Sequence, residues 1–264
     1  MLLKMHGVRG SMPTPSADRS RFGGNTSSIE IATASTQIFY DAGTGFAHAE
    51  LNPSAQTRLV LFSHFHHDHI QGLGFNPAIY VPENKLTLSS ALVPPQRLRD
   101  ILSGYYRMPH FPVDVFGISS HLAFGDFQQT VEPLADDIQI SSIELNHPGG
   151  ACGYICATAS AKIAILLDNE FTEAQQPLLA RACEGADLVV WDGTYTEAEL
   201  AEKTGWGHSS IEQALSFSEI ADIGHMLITH HAPVRDDDEM ARLQAIYAGD
   251  RLSFAHEGMA FSFD

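Results

Sequence analysis

Apolar residues fall in short runs along this chain, and polar or glycine-bearing turns interrupt them repeatedly. Residues 27–33 and 37–40 are β-prone runs divided by Ala34-Ser35-Thr36, and Asp41-Ala42-Gly43-Thr44-Gly45 closes the second in a turn. Residues 58–62, Arg-Leu-Val-Leu-Phe, form the compact run expected of a strand buried on both faces. Residues 141–145, 153–158, 162–167, 188–191 and 226–229 read as further strands, and 251–263 as a closing pair of short ones. Caps mark the helices. Thr196-x-x-Glu199 and Ser209-x-x-Glu212 fit capping boxes, and the acidic run 236–239 suits the first turn of a helix reaching about residue 248. Strands and helices thus alternate through the second half, which predicts a mixed α/β layered fold. No repeat or linker divides the chain, so residues 1–264 are expected to form one domain. Between residues 94 and 113 prolines and aromatics concentrate (Pro94-Pro95, Tyr105-Tyr106, Met108-Pro109-His110-Phe111-Pro112), predicting a loop or lid over a pocket.

Composition narrows the function classes. With 44 % hydrophobic and 18 % charged residues over 264 positions, the chain can bury an ordinary globular core. Thirty-two acids against fifteen Lys plus Arg leave a net charge of −17 and no basic cluster, which argues against a long nucleic acid as partner. No apolar stretch approaches the roughly 20 residues that span a bilayer, and residues 1–6 form no secretory signal, so no membrane partner is expected. Cys152, Cys156 and Cys183 cannot all pair and lack CxxC spacing; reduced thiols in a cytoplasmic protein are expected.

The fourteen histidines matter more by placement than by number. His64-Phe65-His66-His67-Asp68-His69 follows the buried run 58–62, at a strand's C-terminal end, where α/β proteins commonly place ligands. Zinc takes nitrogen and oxygen ligands at about 2.0–2.2 Å. Where the backbone turns, His64 and His66 can serve one ion, and Asp68 and His69 a second. Two ions need about seven or eight protein ligands. His147 follows the expected strand 141–145, Asp168 ends the apolar run 163–167 and His230 ends 226–229, and each is of the right type to supply the remainder.

These residues resemble the metallo-β-lactamase superfamily, within it the ribonuclease Z and cyclic-nucleotide phosphodiesterase branch. His64-x-His66-x-Asp68-His69 is similar to the signature motif, with His67 a spacer. Asn146-His147-Pro148 resembles the third histidine motif, Asp168 stands at the metal-bridging aspartate, and Leu227-Ile228-Thr229-His230 resembles the last motif. The similarity extends over Arg9-Gly10-Ser11-Met12-Pro13-Thr14-Pro15, Phe22-Gly23-Gly24-Asn25-Thr26, Asp41-Ala42-Gly43-Thr44-Gly45 and Gly205-Trp206-Gly207-His208-Ser209. It implies a four-layer αββα sandwich. Flavodiiron proteins have Glu where this chain has His66, and familiar β-lactamases have Cys where it has Asp168. Glyoxalase II-like thioesterases carry a helical C-terminal extension, and ribonuclease Z a basic arm, neither legible here.

The resemblance also implies a mechanism: two Zn²⁺ ions about 3.5–4 Å apart share a hydroxide that attacks the substrate, with Asp68 orienting it. Mn²⁺ or Fe²⁺ would suit the same ligands. His208 would give the leaving group its proton, with Asp192, where the branch usually has Glu, holding the imidazole. Asn25 and Tyr106 are candidates for substrate contact; His231 is another, or a hydrogen-bond partner behind the metals. The expectation is a zinc phosphodiesterase acting on a small phosphodiester, a cyclic nucleotide among the candidates. An ester, lactone or thioester hydrolase on the same metals stays open, as do a non-catalytic zinc-binding regulatory protein and a homo-oligomeric state.

Overall fold

The computed structural model describes residues 1–119, 121–134 and 136–263. The first half builds one sheet from β1 (Leu2–Gly7), β2 (Ser28–Ala32), β3 (Thr36–Tyr40), β4 (Thr57–Leu61), β5 (Leu86–Ser89) and β6 (Leu122–Phe124). The second half builds another from β7 (Gln139–Leu145), β8 (Ala151–Ala157), β9 (Lys162–Leu166), β10 (Leu188–Asp192), β11 (His225–Thr229) and β12 (Leu252–Phe254). A last strand, β13 (Ala260–Ser262), returns to the first sheet beside β1. The orders are β13-β1-β2-β3-β4-β5-β6 and β12-β11-β10-β9-β8-β7. Pairing from β3 to β6 is parallel, as it is from β9 to β12.

Period-two patterning explains the layers. In β4 and the residue after it, Leu59 and Leu61 face one way and Val60 and Phe62 the other, and all four are fully buried. Leu59 and Leu61 join Leu3, Ile31, Ile38, Ile163, Ile165, Val190 and Leu227 in the core between the sheets. Val60 and Phe62 pack outward under the helix Pro95–Tyr105, through its Leu98 and Leu102. Outside the second sheet, Val189 and Trp191 pack against Leu179, Phe217 and Met240 of the helices Gln176–Cys183, Ile211–Ile220 and Asp237–Tyr247. Helices therefore cover both outer faces, and the fold is the αββα sandwich.

Several expectations change in detail. The closing strands do not pair with each other: β12 extends the second sheet and β13 the first. Segment 94–113 is not a loop at its start but the helix Pro95–Tyr105, whose buried leucines lie on the sheet. The capping box expected at Ser209 is shifted by one residue, with Ser210 capping and Gln213 completing it. Ser209 instead donates its hydroxyl to the Asn169 carbonyl. Thr196 and Glu199 do form their box, and Asp236 caps the helix Asp237–Tyr247.

Candidate metal centre

The parallel strands of both sheets bring their C-terminal ends to one edge, where the backbone turns sharply. Among the described residues five non-glycine residues have positive φ, and four sit here: Ser11 (63°), Asp41 (61°), Asp168 (34°) and His230 (58°). Such conformations cost of order 1–3 kcal/mol each and persist only where surrounding contacts hold them. After β4, Ser63 gives its backbone N–H (2.8 Å) and its hydroxyl (2.7 Å) to the Asp41 carboxylate. His66 is the extended residue (φ −66°, ψ 156°) before a single helical turn, His67–Ile70. The switch from extended chain to helix lets His64, His66, Asp68 and His69 converge, where a continuous strand would alternate their faces.

Two groups of side chains meet there. His64, His66, His147 and Asp168 offer ligand atoms within 4.8 Å of one another, and so do Asp68, His69, Asp168 and His230. Asp168 belongs to both. Its Oδ2 lies 3.6 Å from His64 Nε2 and 3.7 Å from His147 Nε2. Its Oδ1 lies 3.0 Å from His69 Nε2 and 3.1 Å from His230 Nε2. Asp68 Oδ2 is 3.2 Å from His69 Nε2 and 3.3 Å from His230 Nε2. Two ligand atoms each about 2.0–2.2 Å from one tetrahedral ion stand roughly 3.3–3.6 Å apart, so these spacings suit two cations sharing one carboxylate.

Hydrogen bonding supports that fit. His64 Nε2, His69 Nε2 and Asp168 Oδ1 are buried and have no hydrogen-bond partner. Each such group costs about 1–3 kcal/mol unless something satisfies it, and a divalent cation would satisfy all three. The opposite ring nitrogens are engaged elsewhere, which fixes the rings. His69 Nδ1 meets Asp41 Oδ2 at 2.8 Å, His147 Nδ1 meets the Gly207 carbonyl at 2.8 Å, and His230 Nδ1 meets Thr194 Oγ1 at 2.9 Å. Burial would raise the carboxyls of Asp68 and Asp168, but the surrounding histidines hold both well below the usual carboxylate range. Burial drives His64 far down, which keeps it neutral as a ligand must be.

His208 stands at the rim. A pocket of about 250 Å³ is bounded by Ser11, His66, His67, Asp68, Asp168 and His208. Asp192, the last residue of β10, sets its Oδ2 2.9 Å from His208 Nδ1. Burial alone would lower His208, but the Asp192 carboxylate pushes it up to about 9. Asp192 is itself held by Thr194, which donates its hydroxyl (2.6 Å) and backbone N–H (3.1 Å) to Oδ1.

The family model described as "Beta-lactamase superfamily domain" matches residues 18–231. The chain belongs to the metallo-β-lactamase superfamily. A relative named ribonuclease Z from Natronomonas pharaonis is 28 % identical over 211 residues, 73 % of this chain and 60 % of that protein. The match thus spans less than two thirds of that relative's length. Ribonuclease Z of Pseudomonas putida is 20 % identical over 266 residues, 81 % of each chain. Among solved structures, a diphosphatase from the PhnP family has a TM-score of 0.72 at 17 % identity, covering 100 % of this chain and 98 % of that one. Human tRNase Z, short form, has a TM-score of 0.69 at 16 % identity, covering 100 % of both chains. The sandwich is the superfamily fold, and the curated relatives that the chain matches are named ribonuclease Z.

Within this superfamily member, three residues expected near substrate lie apart from the pocket. Tyr106 is fully buried, and its hydroxyl donates to the Ile70 carbonyl, so it belongs to the core under the helix Pro95–Tyr105. The aromatic beside the site is instead Tyr105, with its ring 5.2 Å from that of His67. His231 is buried with Nε2 on the Ala255 carbonyl at 2.8 Å, and burial lowers it to about 3. Asn25 gives its side-chain amide to Glu257 at 3.0 Å and borders a separate cleft with Pro13, Pro15 and Phe75. Conversely, Ser11, Asp41 and Thr194 stand in recognisable motifs, but their roles are seen only in the structure: the Ser11 N–H lies 2.7 Å from Asp68 Oδ2, and Asp41 and Thr194 hold the rings of His69 and His230. Gly10 and Gly207 are glycines of the resembling motifs. A Cβ on either would stand 2.3 Å from the His230 ring or 2.2 Å from His147 Nδ1.

Proposed function

We propose that this protein is a metal-dependent hydrolase of small phosphodiesters. The observation that carries this reading is the Asp192–His208 pair at 2.9 Å, set at the rim of the same pocket as Asp68 and Asp168. His64, His66, His147 and Asp168 would hold one ion and Asp68, His69, Asp168 and His230 the other, with zinc the favoured metal and Mn²⁺ or Fe²⁺ compatible. Bound there, the ions would supply Lewis acidity and a water acidified towards a pKa of about 7.

The chain's own residues do the rest. Asp68 keeps its carboxylate ionised and oriented by the Ser11 N–H at 2.7 Å, so it can accept a hydrogen bond from the attacking water. In-line attack forms one P–O bond and breaks the bond to the leaving oxygen. That oxygen takes the proton from His208 Nε2, because Nδ1 is committed to Asp192. The net charge of −17 and the lack of a basic arm favour a small substrate, although the curated relatives are named ribonuclease Z. A thioester has a better leaving group, a thiolate, and less use for His208.

Zinc-loaded protein should turn over bis(p-nitrophenyl) phosphate, and Asp68→Ala should abolish that turnover. Failure on every phosphodiester, alongside turnover of carboxylic esters or thioesters, would overturn the phosphodiester reading.

A further inference from the structure

We propose that Glu170 is a positioning residue that latches the loop carrying His208 against His147, an inference that rests on the hydrolase reading above. Glu170 lies two residues beyond Asp168 and is only partly exposed. Its backbone N–H donates to the Asn146 carbonyl at 2.7 Å, and its own carbonyl accepts from Asn146 Nδ2 at 2.9 Å. That reciprocal pair ties the segment of Asp168 to the residue just before His147. The side chain then reaches a third segment. The Gly205 N–H donates to Glu170 Oε1 at 2.9 Å and Oε2 at 2.8 Å, and the Gly207 N–H donates to Oε2 at 2.9 Å.

The loop needs such a hold. Gly205 (φ 85°) and Gly207 (φ 84°) both lie in the left-handed region, so the turn is one that glycine enters freely and also leaves freely. Its shape has two outputs. The Gly207 carbonyl accepts from His147 Nδ1 at 2.8 Å, which leaves Nε2 for the metal cluster. The next residue is His208, with Nδ1 on Asp192. One carboxylate therefore fixes a ligand's tautomer and the proton donor's approach together. A surface glutamate merely bracing a turn would affect stability and neither of these.

Glu170→Ala and Glu170→Gln separate the two. In metal-free protein, nitrogen–proton correlation spectra of the His147 ring, assigned with His147→Gln, should show the Nδ1–H tautomer in the parent and a mixture in Glu170→Ala. Equilibrium dialysis with Zn²⁺ should show one of the two sites weakened about tenfold, the effect typical of losing a ligand's outer partner, and the other unchanged. The kcat for a phosphodiester with a phenolate leaving group should fall more than that for bis(p-nitrophenyl) phosphate, with KM within about twofold. Glu170→Gln, which keeps one acceptor oxygen, should fall between the two proteins and guards against a misfolded alanine variant. Parent-like His147 tautomer and zinc affinities in folded Glu170→Ala, with only a lower Tm, would overturn the proposal. A shifted tautomer in a protein whose parent hydrolyses no phosphodiester would leave the latch standing and remove the phosphodiester reading.

Discussion

Asp41 Oδ2 stands 2.8 Å from His69 Nδ1, and the same carboxylate receives the backbone N–H and the hydroxyl of Ser63. Asp41 directly follows β3, while Ser63 precedes the histidine run after β4 and His69 ends it. One buried carboxylate thus registers the ligand loop against the neighbouring strand. Removing it leaves the Ser63 N–H and the His69 Nδ1 unpartnered in a dry interior, while the Ser63 hydroxyl keeps His64 Nδ1 at 3.0 Å. Asp41→Ala should lose about 3–5 kcal/mol in urea unfolding, as expected when one partner of a buried pair is deleted. It should also weaken metal binding 10–100-fold. Loss of stability without loss of metal affinity would show that Asp41 braces the strand end alone.

Asp168 is the one side chain shared by both ligand groups. Asp168→Ala should therefore lower the affinity for both equivalents of Zn²⁺, whereas His147→Ala should lower only one. Metal analysis after dialysis against graded zinc buffers reads the difference directly. Equal, single-site losses in the two variants would count against a bridging carboxylate.

His208→Ala should retain metal and fold but lose the ability to expel poor leaving groups. General acid catalysis is typically worth 10²–10⁴-fold, so the expected fall is within that range for an alkyl or phenyl phosphodiester and much smaller for a p-nitrophenyl ester. The leaving-group slope of log kcat, steeper in the variant, is the measurement. A parallel fall across the series would assign His208 to binding instead.

Tyr106 gives the converse case. Its hydroxyl donates to the Ile70 carbonyl, at the end of the helical turn that holds Asp68 and His69. Tyr106→Phe should cost about 1–3 kcal/mol for the carbonyl left without its donor and leave KM unchanged. A raised KM would return Tyr106 to the substrate.

The three thiols predict an alkaline limit to stability. Burial pushes Cys152, Cys156 and Cys183 up to about 12, against about 8.5 in an unfolded chain. The folded protein holds these protons longer, so the stabilisation is complete below about pH 8.5 and is lost as pH rises towards 12. Folded protein should resist a thiol reagent at pH 8 and react fully in urea. The urea midpoint should fall between pH 8 and 10, and fall less in Cys156→Ala.

Much of the fold was legible because its strands are short apolar runs closed by turn residues, as at 162–167 and 188–191. β5, Leu-Thr-Leu-Ser, and β6, Leu-Ala-Phe, are too short for a period to register. The helix Pro95–Tyr105 was obscured by prolines that in fact start it, at positions where a helix needs no N–H donor. At the site, the histidines and Asp168 could be found because residue type and strand-end position coincide. Asp41 and Thr194 could not be found that way. They act through contacts 28 and 36 residues away, set by strand order and by left-handed backbone that the sequence does not spell out.

The division of ligands between the two sheets also sets an order of events during synthesis. His64, His66, Asp68 and His69 follow β4 of the first sheet and emerge early, but Asp168 and His230 follow about a hundred residues or more later. A ribosome-bound chain that ends before residue 230 holds the early histidines with an incomplete coordination sphere. Such a nascent chain can catch metal only weakly and reversibly. With the ions held as proposed, tight loading would have to wait for the second sheet to dock, which would make metal retention a report on completed folding.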